Sequence, residues 1–275
     1  MRGSTPCPCE ANSRYGGNTA CVALEVQGED PIILDLGTGL RFFGDTQPKD
    51  GTFRGTALVT HIHWDHVQGL PFFVPALAPG AQLDIYGPTQ ANGTTLAGAF
   101  DEFMRPPFFP VMVSQLPGDI RFHDVADTTL AVGNAKVMVR SVPHVGETNG
   151  YRIDWDGTSV AYISDHQSPV VAEDEGVTVA DSVLELAQGA DVLIHDAQYW
   201  PGEWRKKNDW GHCTVDYAVH VARVAGVKTL VLFHHDPAHD DAEVDRVLEH
   251  ARLCAAGTCV EEVVAAAEGL TISFD

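Results

Sequence analysis

The chain has 275 residues, with 38 acidic side chains against 17 basic ones and a formal net charge of −21. That balance argues against a long polyanionic partner, because nucleic-acid affinity draws on many Lys and Arg contacts. No apolar run approaches a membrane span, and the opening MRGSTPCPCEANSRYGGN lacks the apolar core of a signal peptide, so the expectation is a cytoplasmic enzyme with no membrane partner.

No linker, repeat or low-complexity tract divides the sequence, and the expectation is one domain over 1–275. Of the six cysteines, Cys7 with Cys9 and Cys254 with Cys259 lack both His partners and a zinc-finger spacing and read as free thiols, with an N-terminal disulfide as the weaker alternative. In chain order, NTACVALEVQ and PIILDLG read as an opening hairpin, GTALVT as a short buried strand, and WDHVQGL as the first turn of a helix. AQLDIYGP reads as the next strand, and AKVMVRSVPH with YRIDWDGTSVAYISD as three more. ADSVLELAQGADVLIHDA and TVDYAVHVARVAGVKTLVLFHH each read as helix then strand, followed by a closing helix and a strand ending in GLTISF.

The informative stretch is VTHIHWDHVQG. His61 and His63 lie two apart on extended backbone and point to one side, while Asp65 and His66 follow where the chain turns into the helix. Imidazole and carboxylate together suit Zn, Mn or Fe, whereas Ca and Mg prefer all-oxygen shells. Further candidates stand at strand exits: His144 in SVPHVG, Asp165 in YISDHQ, and His234 with His235 in LVLFHHDP.

HIHWDH matches the His-x-His-x-Asp-His signature of the metallo-β-lactamase-fold hydrolases, which the chain resembles. The resemblance implies an α/β fold (α+β by some schemes), a four-layer αββα sandwich of two mixed β-sheets with metal ligands at strand ends. By that resemblance His61, His63 and His144 hold one metal, Asp65, His66 and His234 the second, and Asp165 bridges both. His234 is preferred to His235 because it occupies the family position two residues after Leu232. Two divalent ions are implied, Zn foremost with Mn or Fe as alternatives, and a metal-bridging hydroxide as the nucleophile, which Asp65 helps to orient. True dinuclear β-lactamases place Cys where this chain has Asp165, and Asp there favours phosphoesters.

LIHDAQY resembles the His-Glu-Ala segment of the tRNase Z and class II cyclic-nucleotide phosphodiesterase branch, and DWGHCT its Gly-His-Ser-Thr segment. The likeness extends over most of the chain, through SRYGGNTACVALEV, LDLGTGLRFFG and AGVKTLVLFHHDPAHDD. It implies that His212 protonates the leaving alkoxide or holds a phosphoryl oxygen, with Asp196 orienting its ring. Two departures stand out: Asp196 replaces the usual Glu, one methylene shorter, and Cys213 replaces the usual Ser.

The tRNA-gripping arm of tRNase Z lies between the ligand His and the bridging Asp, where this chain has only a tight strand pair between His144 and Asp165. The expected substrate is therefore a small phosphodiester, cyclic nucleotides foremost, rather than a long nucleic acid. Arg205 and Lys206 in WRKKNDW are candidate phosphate contacts, against the plainer reading of a solvated loop. FDEFMRPPFFPVMVSQLPG, within an insertion around 94–120, reads as a lid or a dimerisation element of a homodimer, and Phe108 and Phe109 as candidate stacking partners for a base. A lactone or thioester hydrolase on the same fold and a non-catalytic metal-binding sensor are the alternative functions.

Overall fold

In the computed structural model, which describes residues 1–170 and 177–274, the strands form two mixed sheets, one in each of two compact units, 19–126 and 1–18 with 127–275. Helices accompany both sheets, which makes the architecture α/β.

In 19–126 the five-stranded sheet runs β1 (Val22–Leu24), β2 (Ile32–Leu34), β3 (Arg54–Leu58), β4 (Gln82–Gly87) and β5 (Asp119–Asp124), in that spatial order. The first pair is antiparallel, the expected hairpin, and the rest are parallel. Parallel neighbours need crossovers on the sheet faces, which explains why β2 and the exit of β3 are buried apolar runs rather than alternating ones. The crossovers carry α1 (Leu40–Thr46), α2 (Trp64–Val67) and α3 (Leu96–Phe103). Phe53, Phe73, Leu83, Phe100 and Met104 close the core of this unit. Phe100 and Met104 are fully buried, so the aromatic, proline-rich segment is partly core, while its middle, with Phe108 78% exposed, is open to solvent.

In the other unit the seven strands are β6 (Thr129–Val132), β7 (Ala135–Ser141), β8 (Asn149–Trp155), β9 (Thr158–Ile163), β10 (Val192–Asp196), β11 (Thr229–Phe233) and β12 (Glu262–Ala265). Spatial order reverses the chain order, with β6 to β9 antiparallel and β9 to β12 parallel. The helices are α4 (Asp181–Ala187), α5 (Pro201–Trp204), α6 (Val215–Ala225) and α7 (Asp241–Ala255). The helix α6 buries Val215, Ala218, Val219, Val221, Ala222 and Ala225, and each branched side chain removed from water stabilises the unit by about 1.5–3 kcal/mol. Its ends are defined locally: Thr214 Oγ1 accepts from Tyr217 N at 3.2 Å, and Gly226 stops it in the left-handed region at φ 72°.

The expected final strand differs. The sheet closes with β12, ahead of GLTISF, and Leu270, Ile272 and Phe274 remain exposed. Their period-2 pattern is that of a strand, but they pair with no strand among the described residues. Among the described residues, no helix is long and apolar enough to cross a membrane.

Candidate metal centre and proton relay

Within 19–126 the motif folds as its spacing implies. His61 follows β3, His63 is the residue preceding α2, and Asp65 and His66 lie on that single-turn helix. His61 Nε2 is 2.8 Å from His63 Nδ1, the His61 and His66 rings lie 4.2 Å apart, and His66 Nε2 is 3.3 Å from Asp65 Oδ2. The organiser is Asp35, fully buried just beyond β2 at φ 60°. Its Oδ1 accepts from Thr60 N at 2.7 Å, both its oxygens accept from Thr60 Oγ1 at 3.0 Å, and its Oδ2 accepts from His66 Nδ1 at 2.8 Å. A non-glycine residue held at positive φ is tolerated where several contacts fix it.

In the other unit four strand exits contribute. His144 follows β7, Asp165 follows β9, Asp196 ends β10 and His234 follows β11, while His212 precedes the cap of α6. Asp165 Oδ2 lies 3.7 Å from His144 Nε2, 3.4 Å from His234 Nε2 and 3.8 Å from His212 Nδ1. His234 sits at φ 59°, and its ring stacks on that of His212 at 4.8 Å. The neighbouring His235 is directed elsewhere: its Nε2 donates to the Ala266 carbonyl at 3.0 Å, and burial holds its pKa well below the ordinary value. Between the two histidines, His234 is the one facing Asp165.

The donor set can be tested against a divalent cation by asking where each ring carries its proton. A carbonyl or carboxylate oxygen can only accept, so the Nδ1–H of His144 is donated to Gly211 O at 2.6 Å, that of His234 to Gln198 Oε1 at 2.6 Å, and that of His66 to Asp35. The Thr60 hydroxyl gives its one proton to Asp35 and therefore accepts from His61 Nδ1 at 3.0 Å. In the neutral form of each of these four rings Nε2 then carries the lone pair, the tautomer that binds metal, with the outer hydrogen bonding that orients such ligands. The spacings agree, since ligands about 2.0–2.1 Å from a tetrahedral ion lie about 3.3 Å from one another, against 3.4 and 3.7 Å from Asp165 Oδ2 to His234 and His144. These residues fit divalent metal ions of the Zn, Mn or Fe type.

Asp196 reaches His212 despite its shorter side chain: His212 Nδ1 donates to Asp196 Oδ2 at 2.8 Å. The carboxylate is fully buried and also accepts from His166 N at 3.1 Å and Gln198 N at 2.9 Å. The buried Cys213 fills the role of a hydroxyl donor. Burial, then Asp196, raises its thiol pKa well above the ordinary value, and Sγ–H donates to Asp196 O at 3.0 Å. Beneath lie His166 and His195, 2.9 Å apart, both with pKa values lowered by burial and so neutral.

Arg205 and Lys206 are exposed. The cation held by this loop is Lys207, whose Nζ is 2.9 Å from Asp236 Oδ2 and 4.4 Å from the Tyr199 ring centre. Phe108 and Phe109 do meet in a cavity of about 420 Å³ within 19–126, alongside Trp64, Gln68, Phe72 and Glu102. Asp35, Thr60, Gln198 and Gly211 are absent from the sequence-based candidates. Only Asp35 carried a signal, as an acidic residue inside the apolar run IILDLG.

A family model described as Beta-lactamase superfamily domain matches residues 43–235. Among curated proteins, Ribonuclease Z of Streptococcus suis (strain 98HAH33) is 25% identical over 241 residues, 70% of this chain and 75% of its own length. Among solved structures, the metallo-beta-lactamase fold protein YhfI from Bacillus subtilis superposes with a TM-score of 0.72 at 19% identity, covering 98% of this chain and 94% of that one. A diphosphatase from the PhnP family superposes with a TM-score of 0.69 at 21% identity, covering 100% and 95%. The chain thus belongs to the beta-lactamase superfamily domain family, and its fold is that of the metallo-β-lactamase superfamily's metal-dependent hydrolases.

Proposed function

We propose that the chain is a dinuclear metal-dependent phosphodiesterase acting on small phosphodiesters, cyclic nucleotides foremost. His61, His63 and His144 would hold one divalent ion and Asp65, His66 and His234 the other, with Asp165 bridging. The observation that carries the reading is the 2.8 Å hydrogen bond from His212 to Asp196, beside Asp165 and His234. A scaffold or sensor has no use for a buried proton donor so oriented, and an alkoxide leaving from phosphorus needs one.

When bound, the divalent ions supply a nucleophile near neutral pH and neutralise charge developing at phosphorus. The protein's own groups do the rest. Asp165, His144 and His234 would hold the ions against which the reacting phosphoryl group is positioned, and His212 gives the proton to the departing oxygen. Asp196 holds the ring on Nδ1, which leaves Nε2 as the atom that delivers it. Asp65 is placed to orient the nucleophile. Lys207, and the exposed Arg205 and Lys206, raise the local potential for an anionic substrate. The cavity containing Phe108 and Phe109 begins at Trp64, between His63 and Asp65, and would take a flat ring carried by the ester.

The similarity to Ribonuclease Z weighs against excluding nucleic acid outright. The surplus of acidic side chains and the short β8–β9 connection, Asp156 and Gly157, favour the small substrate. We further propose one functional domain over 1–275 acting as a homodimer, with the segment around 94–120 as lid or dimer contact, supported by exposed Trp64, Phe72 and Phe108. The test is a turnover screen of the Zn- or Mn-loaded protein on 3′,5′- and 2′,3′-cyclic nucleotides, linear dinucleotides, a lactone and a thioester. Phosphodiester turnover with inert lactone and thioester supports the reading, and the reverse overturns it.

A further inference from the structure

Away from this centre, α6 and α7 bring together a second set of metal-type donors. His250 and Cys254 stand at i and i+4 on α7, so their side chains leave one face. Asp216 lies in the first turn of α6. Their donor atoms converge: His250 Nε2 is 2.6 Å from Asp216 Oδ1, and Cys254 Sγ is 3.4 Å from His250 Nε2 and 3.8 Å from Asp216 Oδ1. Trp200 packs edge-on to the His250 ring at 5.2 Å, with its own Nε1 tied to Glu243 Oε1 at 2.8 Å. All three residues keep a solvent side, with His250 and Asp216 side chains 37% and 43% exposed and Cys254 exposed.

We infer that Asp216, His250 and Cys254 form a separate metal site that takes zinc or a similarly thiophilic divalent ion, with water as the fourth ligand. A tetrahedral zinc with Zn–S about 2.3 Å and Zn–N about 2.0–2.1 Å separates its ligand atoms by about 3.3–3.6 Å. The sulfur-to-imidazole distance of 3.4 Å matches that spacing, the sulfur-to-carboxylate distance of 3.8 Å has to close by about 0.2 Å, and the short contact between imidazole and carboxylate opens as the ion replaces the shared proton. On binding, the thiol proton leaves to solvent, the imidazole carries its proton on Nδ1, and Sγ, Nε2 and Oδ1 each supply an electron pair. No redox change is involved. Soft thiolate with imidazole selects zinc-like ions over Ca or Mg. The ion ties the opening turn of α6, just past His212 and its cap Thr214, to the long helix α7.

The site can be read independently of turnover, because the ligand set proposed for the catalytic centre contains no sulfur. Metal-depleted full-length protein is titrated with Co(II), and the near-ultraviolet thiolate-to-cobalt charge-transfer band is followed alongside metal stoichiometry. We expect one thiolate-ligated equivalent, retained in Asp165→Ala and abolished in Cys254→Ser. In His250→Ala the affinity should fall by about tenfold or more, with far-ultraviolet circular dichroism unchanged in the surface variants. A wild-type protein with no such band, or a band that persists undiminished in Cys254→Ser, overturns the site. Neither result bears on the phosphodiesterase reading, which stands or falls on the substrate screen.

Discussion

His212 Nδ1 and Asp196 Oδ2 are joined at 2.8 Å, although an aspartate is one methylene shorter than the Glu that the sequence resemblance implies at this position. Asp196 ends β10, and its carboxylate is anchored by the His166 and Gln198 amides. If His212 protonates the leaving oxygen, His212→Ala lowers kcat on a cyclic nucleotide by ~10²–10⁴-fold with metals retained. A p-nitrophenyl ester, whose leaving group needs no proton, is hurt far less. Asp196→Asn shows the same selectivity more weakly. Equal slowing of both substrates would make His212 a phosphate-binding group instead.

Asp165 serves two histidines through one carboxylate oxygen, at 3.4 and 3.7 Å. Asp165→Ala is therefore expected to loosen both ions, whereas His234→Ala mainly costs one. Elemental analysis of purified variants decides, and two full equivalents retained in Asp165→Ala removes the bridging role.

The outer hydrogen bonds carry their own prediction. Gln198 Oε1 fixes the His234 ring, and Gln198→Ala should lower metal affinity by about 10–100-fold, measured by chelator competition. Gly211→Ala should do at least as much. Its φ of +90° disfavours any side chain, and a Cβ there would stand 2.5 Å from the His144 ring. Wild-type affinity in both variants would show that ring orientation is set elsewhere.

Substrate size is tested by competition. Precursor tRNA should be cleaved poorly beside a cyclic or p-nitrophenyl phosphodiester at physiological salt, because an acidic surface gains little from counterion release. Efficient tRNA processing would move the chain toward the function of its Ribonuclease Z relative.

The legible part of this molecule was the part with a short period. The buried runs at Ile32–Leu34 and Thr229–Phe233 were visible as strands, and HIHWDH as a turn of ligands, because neighbours in sequence are neighbours in space. The strands β5 and β6 escaped notice: DIRFHD at Asp119–Asp124 alternates polar and apolar residues but carries only two apolar side chains, and TLAV at Thr129–Val132 is four residues long, so neither offers the buried apolar run that marked the other strands. GLTISF has a strand's alternation yet lies outside the sheet, since pattern says which face a segment offers and not whether a partner is there. Gln198 and Gly211 were invisible for another reason. Their contributions are one amide oxygen and one backbone carbonyl, which composition and spacing do not reveal.

The first residues of the chain also help to set one ligand. Arg2 bridges in parallel to His235, Gly3 N donates to His235 O at 2.9 Å, and a side chain at Gly3 would meet the His234 ring at 2.3 Å. Arg2 is fully buried, with its guanidinium on the Gly16 and His239 carbonyls at 2.8 and 2.5 Å. The turn that holds His234 at φ 59° is thus backed by a clasp whose partners, Arg2 and His239, lie 237 residues apart in sequence, and contacts of such separation are the kind that form slowly.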